Sequence, residues 1–246
     1  MAFPVKAGSA PKALEAMAIL GLEGLSVTMP HKAAVAAALT NLTPSAQALG
    51  AVNCVFKKDG ELWGDSTDGD GLVDAVILHS HGTAAEPAFD RKRVLVVGTG
   101  GAGRSICEAI GRRCDADLYV AGRTFDRVAD AARLADGATA ISTDEVDDLD
   151  NIDVLINATS VGMTGGPDEQ GLVVPPAVFG EGQLVVDIVY QPRVTPLLAA
   201  AREKGSTTMN GVPMLVHQAA LAFHRWTGQE PPLNAMTQAV ELELPS

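Results

Sequence analysis

RVLVVGTGGAGRSICEAI, residues 93–110, is the stretch on which the fold turns. Val94–Gly98 is a short run of leucine and β-branched valine, the composition of a strand buried on both faces. It leads directly into G-x-G-x-x-G, formed by Gly98, Gly100 and Gly103, and an apolar-periodic helix follows over Gly103–Arg113. Alone the glycine pattern is weak. Between a strand and a helix it has a mechanical meaning. Gly98 permits the tight turn, Gly100 lets a pyrophosphate approach the backbone, and Gly103 lets helix and strand pack closely. The N–H groups at the helix start, from Gly101, Ala102 and Gly103, then face the phosphates.

Working outward, the same alternation continues. Leu118–Gly122, Val154–Asn157 and Leu184–Val189 are further apolar runs, separated by helical patterns at Arg127–Ala135 and Thr195–Lys204. Apolar strands alternating with helices imply a doubly wound parallel sheet covered on both faces. Upstream, the pattern predicts a helix over Ala10–Leu20, a strand over Gly24–Thr28 and a helix over Pro30–Leu39 with proline in its first turn. A hairpin joins Ala51–Lys57 to Glu61–Gly64, and a helix runs from Asp68 to Leu78. His79–Arg93 lacks apolar periodicity and reads as a surface connection. Two helices, Val212–Thr227 and Asn234–Leu244, close the chain. The expected fold class is α/β, with the doubly wound sheet in the second half of the chain.

Composition excludes several function classes. The 246 residues are 47% apolar, enough for a sizeable core. No apolar run reaches the roughly 18–20 residues a membrane helix needs, and the opening MAFPVKAGSAPK lacks the order of a signal peptide. Cys54, Cys107 and Cys114 show no CxxC spacing, and their odd number argues against a disulfide framework, so a reducing cytoplasm is the natural setting. The formal net charge of −12 repels nucleic acid and anionic lipid, which leaves a small-molecule partner.

The second strand selects the cofactor. An NAD site carries an acid about 20 residues past the glycines to bond the ribose hydroxyl. Here the strand ends in Ala121-Gly122-Arg123-Thr124. Arg123 can stack on adenine and grip a 2′-phosphate, with Arg127 one turn later to assist. NADP is therefore expected, with Asp126 a competing partner for either arginine.

A few residues are not explained by folding. Lys32 stands in the first turn of a predicted helix, where a cation opposes the helix dipole. Asp68 opens the next helix, an ordinary place for an acid. Asn53 is expected inside a strand, where asparagine is disfavoured. Gln218 has Met214, Leu215, Leu221 and Ala222 at i±3 and i±4, so its amide must find a polar ligand or a backbone carbonyl. His217 and His224 lack the i, i+4 spacing of a metal pair, His79 and His81 lie in the connection, and His31 is expected to be exposed. No metal constellation and no G-x-S-x-G turn is present.

Together SVTMPHK (26–32), GAVN (50–53), STDGDG (66–71), GTGGAG (98–103), GRT (122–124), INATSVGM (156–163), DIVYQPRVTPLL (187–198) and NGVPMLVHQA (210–219) resemble the shikimate dehydrogenase family, in its order and over nearly the whole chain. The resemblance implies two lobes: a Rossmann-type NADP lobe over 69–211, and a smaller α/β substrate lobe over 1–68 that is completed by the last helices within 212–246. It implies Lys32 and Asp68 as a catalytic pair, with Ser26, Thr28, Asn53, Asp68 and Gln218 as substrate contacts. Gly98–Gly103, Gly122, Arg123, Thr124 and Arg127 would hold NADP, with Thr159 and Ser160 near its nicotinamide side. Ile188, Tyr190 and Gly211 would line the nicotinamide pocket, and Met214 would pack near it. The implied reaction is the reversible NADPH-dependent reduction of 3-dehydroshikimate to shikimate in chorismate and aromatic amino-acid biosynthesis, by a cytoplasmic monomer or homodimer.

Two departures bear on that expectation. Ser26 and Ser66 stand where the family commonly has asparagine, which leaves a quinate/shikimate dehydrogenase with altered preference as an alternative. MAFPVKAG reads like the family's second strand, so the opening strand and its S-x-S turn are expected to be missing. That makes a catalytically impaired NADP-binding remnant the other alternative. Lys32, Asp68, Asn53 and Gln218 weigh against decay, since the fold demands none of them.

Overall fold

A computed structural model describes residues 1–81, 88–149 and 151–244. The first part of the chain runs α1 (Ala10–Ile19), β1 (Gly24–Ser26), α2 (Lys32–Ala38), β2 (Asn41–Leu42), α3 (Pro44–Leu49), β3 (Cys54–Lys58), β4 (Glu61–Asp65) and α4 (Asp68–His81). The second runs β5 (Arg93–Val97), α5 (Gly101–Arg113), β6 (Asp117–Gly122), α6 (Phe125–Ala132), β7 (Thr139–Ser142), β8 (Val154–Asn157), β9 (Leu184–Asp187), α7 (Pro196–Glu203) and β10 (Thr207–Met209). It ends in α8 (Val212–Thr227) and α9 (Leu233–Glu243).

The larger sheet has six parallel strands in the order β10-β9-β8-β5-β6-β7. This is the doubly wound plan that the apolar runs imply, and both faces are covered. Val94 and Val96 point into a core shared with α4, α5 and α6, while Leu95 and Val97 point into a second core with α7. Chain direction across the sheet reverses between β5 and β8, the switch point whose crevice receives ligands in such folds.

The smaller sheet, β1-β3-β4-β2, is mixed: β1/β3 and β3/β4 are antiparallel and β2/β4 parallel. Alternation along β3 sends Val55 towards α1 and α2, and Cys54 and Phe56 towards Ala222 and Trp226 of α8. The C-terminal helix thus covers the face that the first helices leave open. Trp226 Nε1 donates to the Val55 carbonyl at 2.9 Å, tying α8 to the sheet. Between the sheets, α4 packs on both α5 and α8.

Several boundaries differ from the sequence reading. Pro30 lies outside α2, behind a cis Met29–Pro30 bond, so Lys32 is the first helical residue. β1 stops at Ser26, because Thr28 enters the turn in which its carbonyl accepts from His31 N. His31 is partly buried, with Nε2 against the Val5 carbonyl at 3.0 Å. Residues 1–6 form no strand: an extended segment needs a laddered neighbour, and none of the described residues supplies one. Of the proposed surface connection, α4 takes up the first part and Phe89 is 2% exposed in the core, while residues 82–87 lie outside those described. β2, α3, β7 and β10 are too short or too polar to register as periodic patterns.

Candidate active site

Lys32 Nζ lies 2.6 Å from Asp68 Oδ2. The two arrive from different elements, Lys32 at the start of α2 and Asp68 at the start of α4. Their side chains are 27% and 14% exposed, so the pair is mostly withdrawn from water yet open on one side. An ammonium placed at a helix N-terminus is unfavourable for the helix, and the adjoining carboxylate offsets it.

Asn53 holds the carboxylate from the other side. It is 4% exposed, and its Nδ2 donates to Asp68 Oδ1 at 2.7 Å and to Thr67 Oγ1 at 3.0 Å. Its Oδ1 accepts from Thr67 N at 2.8 Å. Asn53 stands just before β3 rather than inside it, which removes the objection to asparagine in a strand: its own N–H and carbonyl pair with Asp65 and Val27. Gln218 joins from α8, its Oε1 3.4 Å from Asn53 Nδ2. Its Nε2 donates to the Leu215 carbonyl at 2.9 Å, so the backbone answers part of the need its apolar stripe creates. Four polar side chains from four segments therefore meet. Ser26 and Thr28 are exposed and flank Val27, whose N–H donates to the Asn53 carbonyl at 2.7 Å. Ser66 is buried instead, with Oγ 3.3 Å from Ser105 Oγ, away from the cluster.

Close backbone approach sets this cluster against the nucleotide turn. A Cβ on Gly69 would stand 2.0 Å from the Ser105 carbonyl of α5, and one on Gly71 would stand 2.6 Å from Gln218 N of α8. Ser105 Oγ also accepts from Gly69 N at 2.9 Å. The DGDG run is thus the seam at which α4 touches both neighbours, a role the sequence shows only as two glycines in a first helical turn.

The turn between β5 and α5 fits a dinucleotide phosphate. Gly98 adopts φ +116°, and a Cβ on Gly103 would lie 2.0 Å from the Gly98 carbonyl. Gly100 caps α5 without any side-chain bond, leaving the first-turn N–H groups of Gly101, Ala102 and Gly103 to an incoming anion. A Cβ on Gly100 or Gly101 would meet nothing within 4 Å, so the approach is open. Gly122 ends β6, and Arg123, Thr124 and Arg127 follow it exposed. Among the described residues Asp126 forms no ion pair with either arginine, which leaves both guanidinium groups to a phosphate.

On the other side of the switch point, Thr159 and Ser160 follow β8, and Ile188 and Tyr190 follow β9. Tyr190 is 42% exposed; Gly211 and Met214 are buried at the start of α8. Beneath them lies a network that the sequence reading missed. Asp187, 0% exposed, accepts from Asn157 Nδ2 (2.9 Å), Val189 N (3.0 Å) and Thr195 Oγ1 (2.6 Å). Burial pushes its carboxyl up to about 6, against the three donors. An acid and an amide ending the apolar runs LVVD and VLIN were the available signal. Among the described residues, no group of His, Cys, Asp and Glu is arranged to hold a metal, and no helix is long and apolar enough to cross a membrane.

Comparison with known proteins places this geometry among relatives. The model of the "Shikimate dehydrogenase substrate binding domain" matches residues 1–55, that of "Shikimate / quinate 5-dehydrogenase" residues 82–195, and that of the "Shikimate 5'-dehydrogenase C-terminal domain" residues 211–241. An NADP(+) shikimate dehydrogenase of Shouchella clausii is 34% identical over 98% of this chain and 85% of its own. The solved shikimate 5-dehydrogenase of Thermus thermophilus, in complex with NADP(H) and shikimate, superposes with TM-score 0.84 at 32% identity, over 98% of this chain and 86% of that one. A quinate dehydrogenase of Corynebacterium glutamicum, in complex with NAD, gives TM-score 0.83 at 30% identity, over 95% and 82%.

Proposed function

The chain belongs to the shikimate/quinate dehydrogenase family, and from that premise we propose that it reduces 3-dehydroshikimate to shikimate with NADPH, reversibly. The observation that carries the reading is the Lys32–Asp68 pair, built from two lobe-forming segments and held by Asn53. We take residues 1–68 with 212–246 as the substrate lobe and 69–211 as the nucleotide lobe.

NADPH, when bound, supplies the hydride that reaches the ketone carbon. The ketone oxygen then carries the developing negative charge and needs a proton or a positive partner. Lys32 is the donor for that proton, its Nζ held 2.6 Å from Asp68 on the open side of the pair. Asp68 orients the ammonium through Oδ2 and can accept from a substrate hydroxyl on the same face. Asn53 and Gln218 hold the substrate's other polar groups, and Ser26 and Thr28 face it from the turn ahead of Lys32. In the nucleotide lobe, Gly98–Gly103 take the pyrophosphate and Arg123 with Arg127 the 2′-phosphate. Gly122 and Thr124 border the adenine end. Thr159, Ser160, Ile188, Tyr190, Gly211 and Met214 border the nicotinamide end.

Ser26 supports one further reading, a preference shifted towards quinate, because its hydroxyl reaches less far than the asparagine common at this position. One assay addresses both: NADP⁺ and NAD⁺ reduction followed by absorbance with shikimate and with quinate. Turnover is expected to be fastest with shikimate and NADP⁺; no turnover with either acid rejects the enzyme reading. In the same assay Lys32→Ala is expected to lower kcat by about 10²- to 10⁴-fold with a smaller change in KM. Near-normal turnover in that variant removes Lys32 from the chemistry. The three thiols, Cys54 and Cys107 buried and Cys114 partly so, suit a reducing cytoplasm. Sedimentation decides between monomer and homodimer.

A further inference from the structure

β8 and β9 are apolar until their last residues, which are Asn157 and Asp187, paired in register at the carboxyl edge of the sheet. From this pair hydrogen bonds spread into three segments. Asn157 Oδ1 accepts from Thr159 N at 2.9 Å and Thr159 Oγ1 at 2.7 Å, and Thr159 Oγ1 in turn accepts from Val161 N at 3.1 Å. Asp187 Oδ1 takes Val189 N, fixing the backbone between Ile188 and Tyr190. Asp187 Oδ2 takes Thr195 Oγ1, whose oxygen caps α7 by accepting from Leu198 N at 3.3 Å. Every partner of the carboxylate is a neutral donor: an amide from β8, a hydroxyl from the α7 cap and a backbone N–H. Among the described residues no ion pair to Asp187 is formed from any element packed on it.

We propose that Asp187 is a positioning residue that holds the nicotinamide-side segments 157–161 and 187–190 against the start of α7 at 195–198, and so sets the grip on the nicotinamide half of the cofactor far more than on the adenine half. This rests on the NADP reading above. Three features support it. A carboxylate with no cationic partner is an expensive way to end a buried strand, and the other positions of these strands are apolar. Two of the segments it joins, 157–161 and 187–190, carry Thr159, Ser160, Ile188 and Tyr190, which the proposed function gives to the nicotinamide end. The residues given to the pyrophosphate and 2′-phosphate, Gly98–Gly103, Arg123 and Arg127, lie on β5–α5 and β6–α6 and share no hydrogen bond with Asp187, although Gly98 packs against Ala158 and Thr159.

The test compares two ligands by calorimetry: NADPH, and adenosine 2′,5′-bisphosphate, which carries the adenine end alone. For Asp187→Asn the dissociation constant for NADPH is expected to rise about tenfold or more and kcat to fall, while that for the bisphosphate stays within about twofold. Thr195→Val should move in the same direction and Thr195→Ser should behave as wild type, so the threonine pair carries the test if Asp187→Asn fails to fold. Unchanged NADPH affinity and kcat in folded Asp187→Asn or Thr195→Val overturns the proposal, as does equal weakening of both ligands. A wild-type chain that binds neither ligand overturns the NADP reading and this proposal together.

Discussion

At the residue scale, charge and burial decide what each side chain contributes. Arg123 is exposed and without an acidic partner among the described residues, so removing it costs the fold little and the cofactor much. Arg123→Ser is expected to raise KM for NADP⁺ by about 10- to 100-fold, the value of a charge-assisted phosphate contact, and to leave NAD⁺ kinetics almost unchanged. Equal loss for the two cofactors contradicts a 2′-phosphate role. Asp187 behaves in the opposite way. Burial pushes its carboxyl up to about 6 in the folded state, well above the ordinary value of about 4 for a free Asp. The folded state therefore binds the extra proton between those values, and a cost of about 3 kcal/mol accrues as pH rises from about 4 to about 6, constant above. Asp187→Asn cannot titrate. Its unfolding free energy relative to wild type is expected to improve by up to ~3 kcal/mol from pH 4 to 7.5 in denaturant titrations. A difference that does not change with pH shows the carboxyl to be unshifted.

At the element scale, the start of α4 is the junction that matters. Gly69 and Gly71 allow it to touch α5 and α8 at backbone distance, and Asp68 is carried on the same turn. Gly69→Ala forces a methyl to within 2.0 Å of the Ser105 carbonyl, so α4 and α5 must separate. Such overpacking costs about 1–3 kcal/mol, and turnover should fall as Asp68 moves. Gly100→Ala is the contrasting case. Its Cβ meets nothing within 4 Å in the protein but would stand in the path that the proposed function gives the pyrophosphate. Stability is expected to stay within about 0.5 kcal/mol while NADPH binding weakens markedly. If the two alanine variants shift the denaturation midpoint alike, close packing is not the reason for Gly69. The sequence shows both glycines equally well; which neighbour each one meets depends on how three helices cross.

At the scale of the whole molecule, the two sheets share helices rather than a surface. α4 packs on α5 and α8, α8 covers the smaller sheet, and Met214 of α8 enters the core of the larger one. Buried Glu108 of α5 accepts from Ser45 of α3 at 3.0 Å, and Arg112 joins Glu108 to Asp70 of α4. Both tryptophans, Trp63 and Trp226, pack together at the smaller sheet, so their fluorescence reports on that sheet. Saturating NADP⁺, which the proposed function places at the larger sheet, is expected to raise the unfolding free energy seen by fluorescence together with that seen by circular dichroism, by about 2.7 kcal/mol at 100 times Kd. A fluorescence transition indifferent to NADP⁺ indicates lobes that unfold separately.

Four of the six strands of the large sheet (β5, β6, β8 and β9), the glycine turn and the missing acid at Gly122-Arg123 were legible in sequence because each depends on neighbours within one turn or one strand. Lys32, Asp68, Asn53 and Gln218 could be singled out as residues folding does not explain, and the family resemblance grouped them. Their meeting could not be read from spacing, since 36 residues separate the ion pair and 165 separate Asn53 from Gln218. Ser66 shows the same limit, because its neighbour Ser105 lies on α5, 39 residues further along the chain. The Asp187 network was hidden for a related reason: an acid at a strand end is ordinary on the surface and exceptional only once its burial is known. Local periodicity and turn chemistry are properties of the chain, whereas burial and long-range contact exist only after the sheets have closed around them.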